Sequence, residues 1–497
     1  MPPVVSPLWN SLALDRAASA SLQDQIVDYF RDAVLAGRMR SGMQVPSTRR
    51  LALEQGVARI TVVQAYERLV AEGYLASRPG AGLYIAESFP EHPLRPARAS
   101  AARKRARPPR LKRSVPVPPV SERPLDLLPL CAGVPALDQF PWMDWARITA
   151  RVYREQPKEA LGYCDPMGLP VVRAAIAAYL GTARGIACDP EQILVVAGSQ
   201  QGIDLTARVL TEPGDTVWVE EPGYPGGRAA ATAAGLLLAP IPVDDEGIDV
   251  RAGIRRAPRA RLALVTPSHQ YPLGATMSLR RRLALLDWAA SADAWVLEDD
   301  YDGEYRYGGR PVAPLYALDR GNRVLYLGTF SKMLAPGLRL GYLVVPRPAV
   351  EHLARLKAAS DRHPPGLAQL VLARFLAEGR LAAHLRRMRV LYARRREALL
   401  DALRGRAADV LDAGEPPEAG LHLVARLRGR GKDGAISRRA LELGVHAAPL
   451  SVFYAGERPQ QGFVLGFAGT PVEAMAPAVE RLTAAIRGTV NPSRAAS

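Results

Sequence analysis

Residues 328–342 read GTFSKMLAPGLRLGY. Lys332 follows the hydroxyl residue Ser331, with Thr329 just upstream, and apolar residues flank it on both sides. Arg339 comes seven residues later, beyond a Pro-Gly break. An amine and a guanidinium so spaced at the end of an apolar run suggest a reactive group and a grip for an anion, and the neighbouring stretches say what both would hold.

Working outward, short apolar runs recur at 193–198 (ILVVAG), 216–221 (TVWVEE), 262–267 (LALVTP), 294–299 (AWVLED), 324–329 (VLYLGT) and 342–346 (YLVVP), most of them separated by helical patterns. This alternation predicts an α/β domain with a mostly parallel sheet, followed from about 350 by a terminal α+β portion. Doubly wound sheets place ligands at strand-end loops. Gly198-Ser199-Gln200-Gln201-Gly202 opens a helix, whose free N–H groups favour a phosphate, although alone it reads as a turn with a cap. Asp299-Asp300-Tyr301-Asp302 offers a carboxylate for a protonated heteroaromatic nitrogen and a tyrosine for a phenolate, although alone it reads as an acidic loop. In EEPGYPG (220–226), Tyr224 could stack on a ring, although alone the turn reads as structural. Together these parts describe one ligand with an acidic ring nitrogen, a phenolate, an aldehyde and a phosphate, which is pyridoxal phosphate (PLP). Lys332 would form a Schiff base with the aldehyde. Arg339 would grip the phosphate with a bidentate fork, and Thr329 and Ser331 would add hydroxyl donors.

Residues 126–497 resemble the fold-type I aminotransferases, with GTFSKMLAPGLRLG as the lysine segment and LEDDY as the pyridine-nitrogen segment. The resemblance implies Asp299 on the ring nitrogen, Tyr301 on the ring oxygen and Tyr224 stacked on the ring. It places Ser199, Gln200, Thr329, Ser331 and Arg339 around the phosphate. Tyr163, in GYCDPMG, resembles the tyrosine that reaches the phosphate of the neighbouring subunit, which implies a homodimer with composite sites. Two positions depart from the family. Tyr271 faces the cofactor where an asparagine usually bonds the ring oxygen, which speaks against full transamination. Val464, in GFVLGFAG, stands where an arginine usually holds the substrate carboxylate, with Arg458 close enough to substitute. The expected effector is therefore not a simple amino acid held as in aminotransferases, but an amine or the cofactor itself.

The N-terminal part has a different character. SLQDQIVDYFRDAVLA (21–36) has apolar residues at helical spacing and Ser21 as a cap. SGMQVPSTRRLALEQGVARITVVQAYERLVAEGYL then predicts two short helices, about Ser47–Glu54 and Arg59–Glu72, around Gln55-Gly56-Val57. Two such helices about a glycine turn are a helix-turn-helix. Ala52, Val57, Val62, Ala65 and Leu69 would pack, leaving Arg49, Arg50, Arg59, Thr61 and Gln64 outward. GYLASRPGAGLYIA reads as a two-stranded wing with Arg78 at its basic tip. The second helix would enter the major groove and the wing would touch backbone or minor groove. The expected DNA-facing set is Ser47, Thr48, Arg49, Arg59, Thr61, Gln64, Arg78 and Gly80. Residues 20–86 resemble the GntR superfamily of winged-helix regulators, with Ala58 replacing its usual serine cap and Ile60 a frequent polar residue.

Residues 88–125 lack hydrophobic periodicity, and RASAARKRARPPRLKR (98–113) carries eight basic residues and no acid, which predicts a linker. Residues 1–125 hold 19 Lys+Arg against 10 Asp+Glu, more than half of the net charge of +16. This excess suggests a polyanion partner, which the helix-turn-helix identifies as double-stranded DNA, although charge alone also reads as an arginine-rich composition seen all along the chain. No apolar run is long enough to span a membrane, and the N-terminus lacks the regions of a secretory signal. Cys131, Cys164 and Cys188 form no close pair, so neither disulfide nor metal site is expected and a reducing cytoplasm fits.

The expected architecture is multidomain: a winged helix-turn-helix over 15–87, the linker over 88–125, and an aminotransferase-like PLP-binding domain over 126–490, split near 350 into a large part (about 155–350) and a small part (about 351–490). This arrangement, with TPSHQYPLG (266–274) and AGLHL (419–423), resembles the MocR/GabR regulators. The resemblance implies a homodimeric transcription regulator that senses an amine, an amino acid or a vitamin B6 vitamer. The competing readings are a working aminotransferase with a DNA-binding appendage and a cofactor-free DNA-binding scaffold.

Overall fold

The computed structural model describes residues 12–78, 81–87, 128–155, 157–308, 313–415, 418–429, 431–456 and 459–490. The expected linker, Gly80 and Arg458 lie outside these residues. The chain divides near position 111 into two compact units.

The first unit contains α1 (Leu22–Leu35), α2 (Thr48–Gln55), α3 (Arg59–Ala71), β1 (Leu75–Arg78) and β2 (Gly82–Ile85). Ser21 caps α1 by accepting from the Asp24 amide at 3.1 Å, and Ser47 caps α2 by accepting from the Arg50 amide at 3.2 Å. Gly56 ends α2 in the left-handed region at φ 62°, which turns the chain into α3. Ile26, Phe30, Leu51, Val62, Ala65, Tyr66 and Leu69 form the core of this unit. Val57, expected in the packed face, is only half-buried because it lies in the turn. Strands β1 and β2 pair antiparallel, with Leu75 opposite Ile85, as the wing.

Ala58 precedes α3 with extended backbone and no side-chain cap. Ala58→Ser should therefore stabilise this unit by about 1 kcal/mol, raising the Tm of its transition by several degrees in calorimetry of the full chain. An unchanged transition would mean that the α3 amides are already satisfied.

The second unit carries an eight-stranded mixed sheet made of β3 (Ile193–Val196), β4 (Thr216–Glu221), β5 (Leu237–Asp244), β6 (Gly247–Ile248), β7 (Leu262–Val265), β8 (Trp295–Asp300), β9 (Val324–Thr329) and β10 (Gly341–Val344). Its order is β3-β10-β9-β8-β7-β4-β5-β6. The pairings from β9 through β8, β7 and β4 to β5 are parallel. Strand β10 is antiparallel to both β3 and β9, and β6 is antiparallel to β5. The expected mostly parallel sheet is thus parallel at its centre and antiparallel toward both edges. Strand β5 carries Pro240 and Pro242, which hide it from a pattern search, and it lies next to the sheet edge, where prolines cost fewest ladder bonds. Beyond 350 come helices Arg347–Ser360, Gly366–Ala377 and Arg380–Arg406 and an antiparallel sheet of β11 (Leu411–Asp412), β12 (His422–Leu427), β13 (Ala448–Pro449) and β14 (Gly462–Gly466). That is the expected α+β portion. No helix among the described residues is long and apolar enough to cross a membrane.

Candidate functional site

A cavity of about 350 Å³ opens at the carboxyl ends of the central strands. Ser199, Gln200, Tyr224, Tyr271, Asp299, Tyr301, Thr329, Ser331, Lys332 and Arg339 all line it, joined by Ala132, Gly133, Gly198, Thr266 and Pro336. These segments are far apart in sequence, and sheet register brings them together. Gly341 of β10 pairs with Val196 on one side and Thr329 on the other. That places Arg339 between the start of helix Ser199–Leu210 and the hydroxyls that follow β9.

Gly198 precedes that helix at φ 116°, a conformation open to glycine. A side-chain carbon added there would sit 3.4 Å from Arg339 Nη1, so the guanidinium faces bare backbone. The leading N–H groups of the helix have no helical acceptor, and with Arg339 they form a cradle for an anion. Thr329 Oγ1 accepts from the Ser331 amide at 3.1 Å, which fixes the turn before Lys332. Lys332 Nζ donates to the Gly133 carbonyl at 2.6 Å. Tyr224 donates to Gln200 Oε1 at 3.3 Å, and its ring stands edge-on to Tyr271 at 6.0 Å.

Strand alternation sorts the acidic run after Leu297. Glu298 and Asp300 point to one face. Glu298 there accepts from the Leu315 and Tyr316 amides, while Asp300 pairs with Arg184 and accepts from the Tyr326 hydroxyl at 2.6 Å. Asp299 and Tyr301 point to the other face, into the cavity. Asp299 Oδ1 is shielded from solvent and has no hydrogen-bond partner. Burial, aided by Asp300 and opposed by Lys332, pushes the Asp299 carboxyl up to about 7. An unpartnered carboxylate oxygen of this kind fits a protonated ring nitrogen, and the anion cradle lies in the same cavity. The residues present therefore fit PLP.

Two clusters behind the cavity were missed from sequence. Glu220, pushed up to about 7 by burial, accepts from the Thr266 hydroxyl at 2.6 Å and from Gln270 Nε2 at 3.1 Å. Thr266 Oγ1 in turn accepts from the Tyr271 amide at 3.0 Å, so this trio sets the backbone that carries Tyr271. His269, Asp302 and His422 are all buried, and their ligand-type atoms lie within 4.8 Å of one another, where no such grouping was expected. Their signal was in TPSHQYPLG and AGLHL, but only folding shows that the two segments meet. Val464 is fully buried with Leu450 and Phe453 in a cluster against which the cavity-lining Ala132 and Tyr271 pack, and it does not itself line the cavity. Tyr163 does not line the cavity. It is 86% exposed, with Arg362 5.1 Å over its ring.

In the first unit, Ser47, Arg49, Arg59, Gln64 and Arg78 are exposed and Thr48 and Thr61 half-buried. Ile60 is 60% exposed beside Arg59. Ion pairs at the far end of α3 tie Arg68 to Asp24 at 2.7 Å and to Glu72 at 3.0 Å. Arg50 pairs with Glu54 at 2.7 Å and Arg78 with Glu87 at 2.9 Å. Arg49 and Arg59 make no ion pair among the described residues, so their charge stays available.

Residues 126–482 match the family of class I and II aminotransferases, and residues 22–85 match the gntR family of bacterial regulatory proteins. The chain is 39% identical over 483 residues, 95% of each chain, to the probable rhizopine catabolism regulatory protein MocR of Rhizobium meliloti. It is 34% identical over 461 residues, 92% of this chain and 94% of the other, to the pyridoxine biosynthesis transcriptional regulator PdxR of Corynebacterium glutamicum. Among solved structures, the α-aminoadipate aminotransferase LysN of Thermus thermophilus, complexed with N-(5'-phosphopyridoxyl)-L-leucine, superposes with a TM-score of 0.68 at 31% identity, covering 74% of this chain and 94% of that one.

Proposed function

We propose, from the premise that this chain belongs to the MocR-type transcription regulators, with a GntR-family helix-turn-helix and an aminotransferase class I and II body, that it senses a small molecule through PLP held at Lys332 and adjusts its grip on duplex DNA accordingly. The observation that carries this reading is the convergence of Lys332, Asp299, Tyr301 and Arg339 on one cavity, with Asp299 Oδ1 unpartnered. When bound, the coenzyme supplies an aldehyde that condenses with primary amines. The chain's own groups do the rest. Arg339 and the start of helix Ser199–Leu210 hold the phosphate, Asp299 keeps the ring nitrogen protonated, Tyr301 donates to the ring oxygen, and Tyr224 covers the ring. Tyr163 of one protomer would complete the partner's phosphate site in a cytoplasmic homodimer.

Where the family's arginine holds a substrate carboxylate, this chain has Val464, buried beneath the cavity-lining Ala132 and Tyr271. Valine cannot bond a carboxylate, so an amine or a B6 vitamer suits this cavity better than an amino acid anchored by its carboxylate. A ligand that favours one arrangement of the dimer shifts DNA affinity by its differential affinity for the two arrangements. Spectral titration with amines and vitamers, followed by gel-shift with duplex from the chain's own promoter region, tests the reading. Sustained turnover of amino donors at ~1 per second or faster would instead favour a working enzyme.

Arg49 and Arg59 give a separate prediction. Replacing either with alanine should weaken promoter binding about 10-fold or more, as expected for one lost base or phosphate contact, while leaving the visible coenzyme band intact. Binding by the parent should fall steeply between low and moderate salt. A variant that lost the band and kept the DNA would contradict the assignment of roles to the two units.

A further inference from the structure

Among the described residues, the hydroxyl of Tyr301 has one hydrogen-bond partner, His269 Nδ1 at 2.9 Å. The same nitrogen lies 3.1 Å from Asp302 Oδ2. All three side chains are buried, and His269 Nε2 is shielded from solvent without a partner. The imidazole has little freedom to turn. A side-chain carbon at Gly420 (φ 84°) would fall 2.0 Å from His269 Cε1, and one at Gly274 would fall 3.2 Å from Nε2.

An ionised carboxylate only accepts hydrogen bonds, so Asp302 selects the tautomer with the proton on Nδ1. That N–H is then shared between Asp302 Oδ2 and the Tyr301 oxygen. Tyr301 cannot donate back to a nitrogen that already carries a proton, so its own proton points away from His269, toward the cavity that its ring lines. We infer that His269, clamped by Asp302, is a positioning residue that makes Tyr301 a committed donor into the cavity. The inference rests on the coenzyme reading above. A phenol that accepts one hydrogen bond donates a stronger one, and a stronger donor favours the ionised form of the oxygen it faces. His269 would therefore hold down the pH midpoint of the visible band of the coenzyme-loaded protein.

The charged and titratable groups around Tyr301 are Asp302 and Asp299 from its own strand end, Tyr271 and Glu220 across the cavity wall, His422 packed 5.1 Å from the His269 ring, and Lys332. Exchanging His269 for a neutral amide changes none of them. The asparagine amide nitrogen reaches roughly where Nδ1 stands, whereas glutamine carries its amide one bond too far. In pH titrations of the band, His269→Gln should raise the midpoint by about half to one unit, the effect of one weakened hydrogen bond. Tyr301→Phe should raise it further, and His269→Asn should stay near the parent value. In a Tyr301→Phe background, His269→Gln should add nothing, because the histidine acts through the tyrosine. If His269→Gln does not fold, His269→Phe, which keeps a ring in place but loses the donor nitrogen and changes no charge, replaces it and should also raise the midpoint. The inference is overturned if the midpoint ignores these changes, if Asn and Gln at 269 behave alike, or if the shift persists without the Tyr301 hydroxyl. A parent protein that shows no band overturns the coenzyme reading and this inference with it, whereas a band indifferent to His269 overturns this inference alone.

Discussion

Lys332→Ala, loaded with PLP and then desalted, is expected to come off the column colourless, whereas the parent protein keeps a visible band. Lys332 carries the one primary amine among the residues lining the cavity. Once it is gone, the coenzyme is held only by reversible contacts to Arg339, Asp299 and the helix start. Borohydride treatment gives a second readout: the parent should gain the mass of the coenzyme on a peptide spanning residue 332, and the variant should not. The fold should survive, because the lost hydrogen bond from Nζ to the Gly133 carbonyl borders an open cavity, at a cost of about 1 kcal/mol. DNA binding by the coenzyme-free variant should match that of the coenzyme-free parent. A variant that stays coloured, or that gains the coenzyme on another lysine, would show that the amine at 332 is not the attachment point.

Asp299→Asn should produce the next largest effect. Its carboxylate is the acid poised for the ring nitrogen, and an amide cannot balance a positive charge. Losing a charge-assisted hydrogen bond of about 1.5–3 kcal/mol weakens coenzyme binding roughly 10- to 150-fold. The pH dependence of the coenzyme-free protein gives an independent check. Burial lifts the Asp299 carboxyl from an ordinary value of 3.8 to about 7, so the folded state holds this proton more tightly than the unfolded state does. The stability it contributes is full below pH 4 and is lost as pH rises through 7. Asparagine stays neutral throughout. The stability of the variant relative to the parent should therefore rise as pH goes from 4 to 8, by on the order of 2 kcal/mol for this half-buried group, and its Tm should rise with it. Bound coenzyme should reverse the sign at pH 8, because the ionised carboxylate then has its partner. Equal coenzyme affinity in the two proteins would remove Asp299 from the site.

Eight of the ten cavity-lining residues named from sequence lie within three residues of a strand end, in short runs whose chemistry can be read locally, while Gln200 follows β3 by four residues and Tyr271 follows β7 by six. The helix-turn-helix was legible for a similar reason. Ser21, Ser47 and Gly56 mark their helix ends by side-chain and backbone preferences that depend on nearest neighbours. What escaped was everything built from separated segments. Glu220 meets Thr266 and Gln270 across 46 and 50 positions, and His269 lies against His422 through the fold alone. Tyr271 was read as a poor stand-in for an asparagine. Its backbone is held by the buried Glu220–Thr266 pair, and its ring packs on His422 and Phe453, so it is also part of the cavity wall.

The sequence by itself determined which residues could react and where the three helices of the first unit run, because those properties follow from side-chain chemistry and from preferences acting over one or two turns. The tertiary structure alone decided that β10 runs against its neighbours, that Arg339 thereby faces Gly198, and that Asp299 turns inward while Asp300 turns away to Arg184. Strand direction and register depend on hydrogen bonds between separate segments, as far apart as Val196 and Gly341. A single-residue shift in register would swap the two aspartates, and no local pattern carries that information.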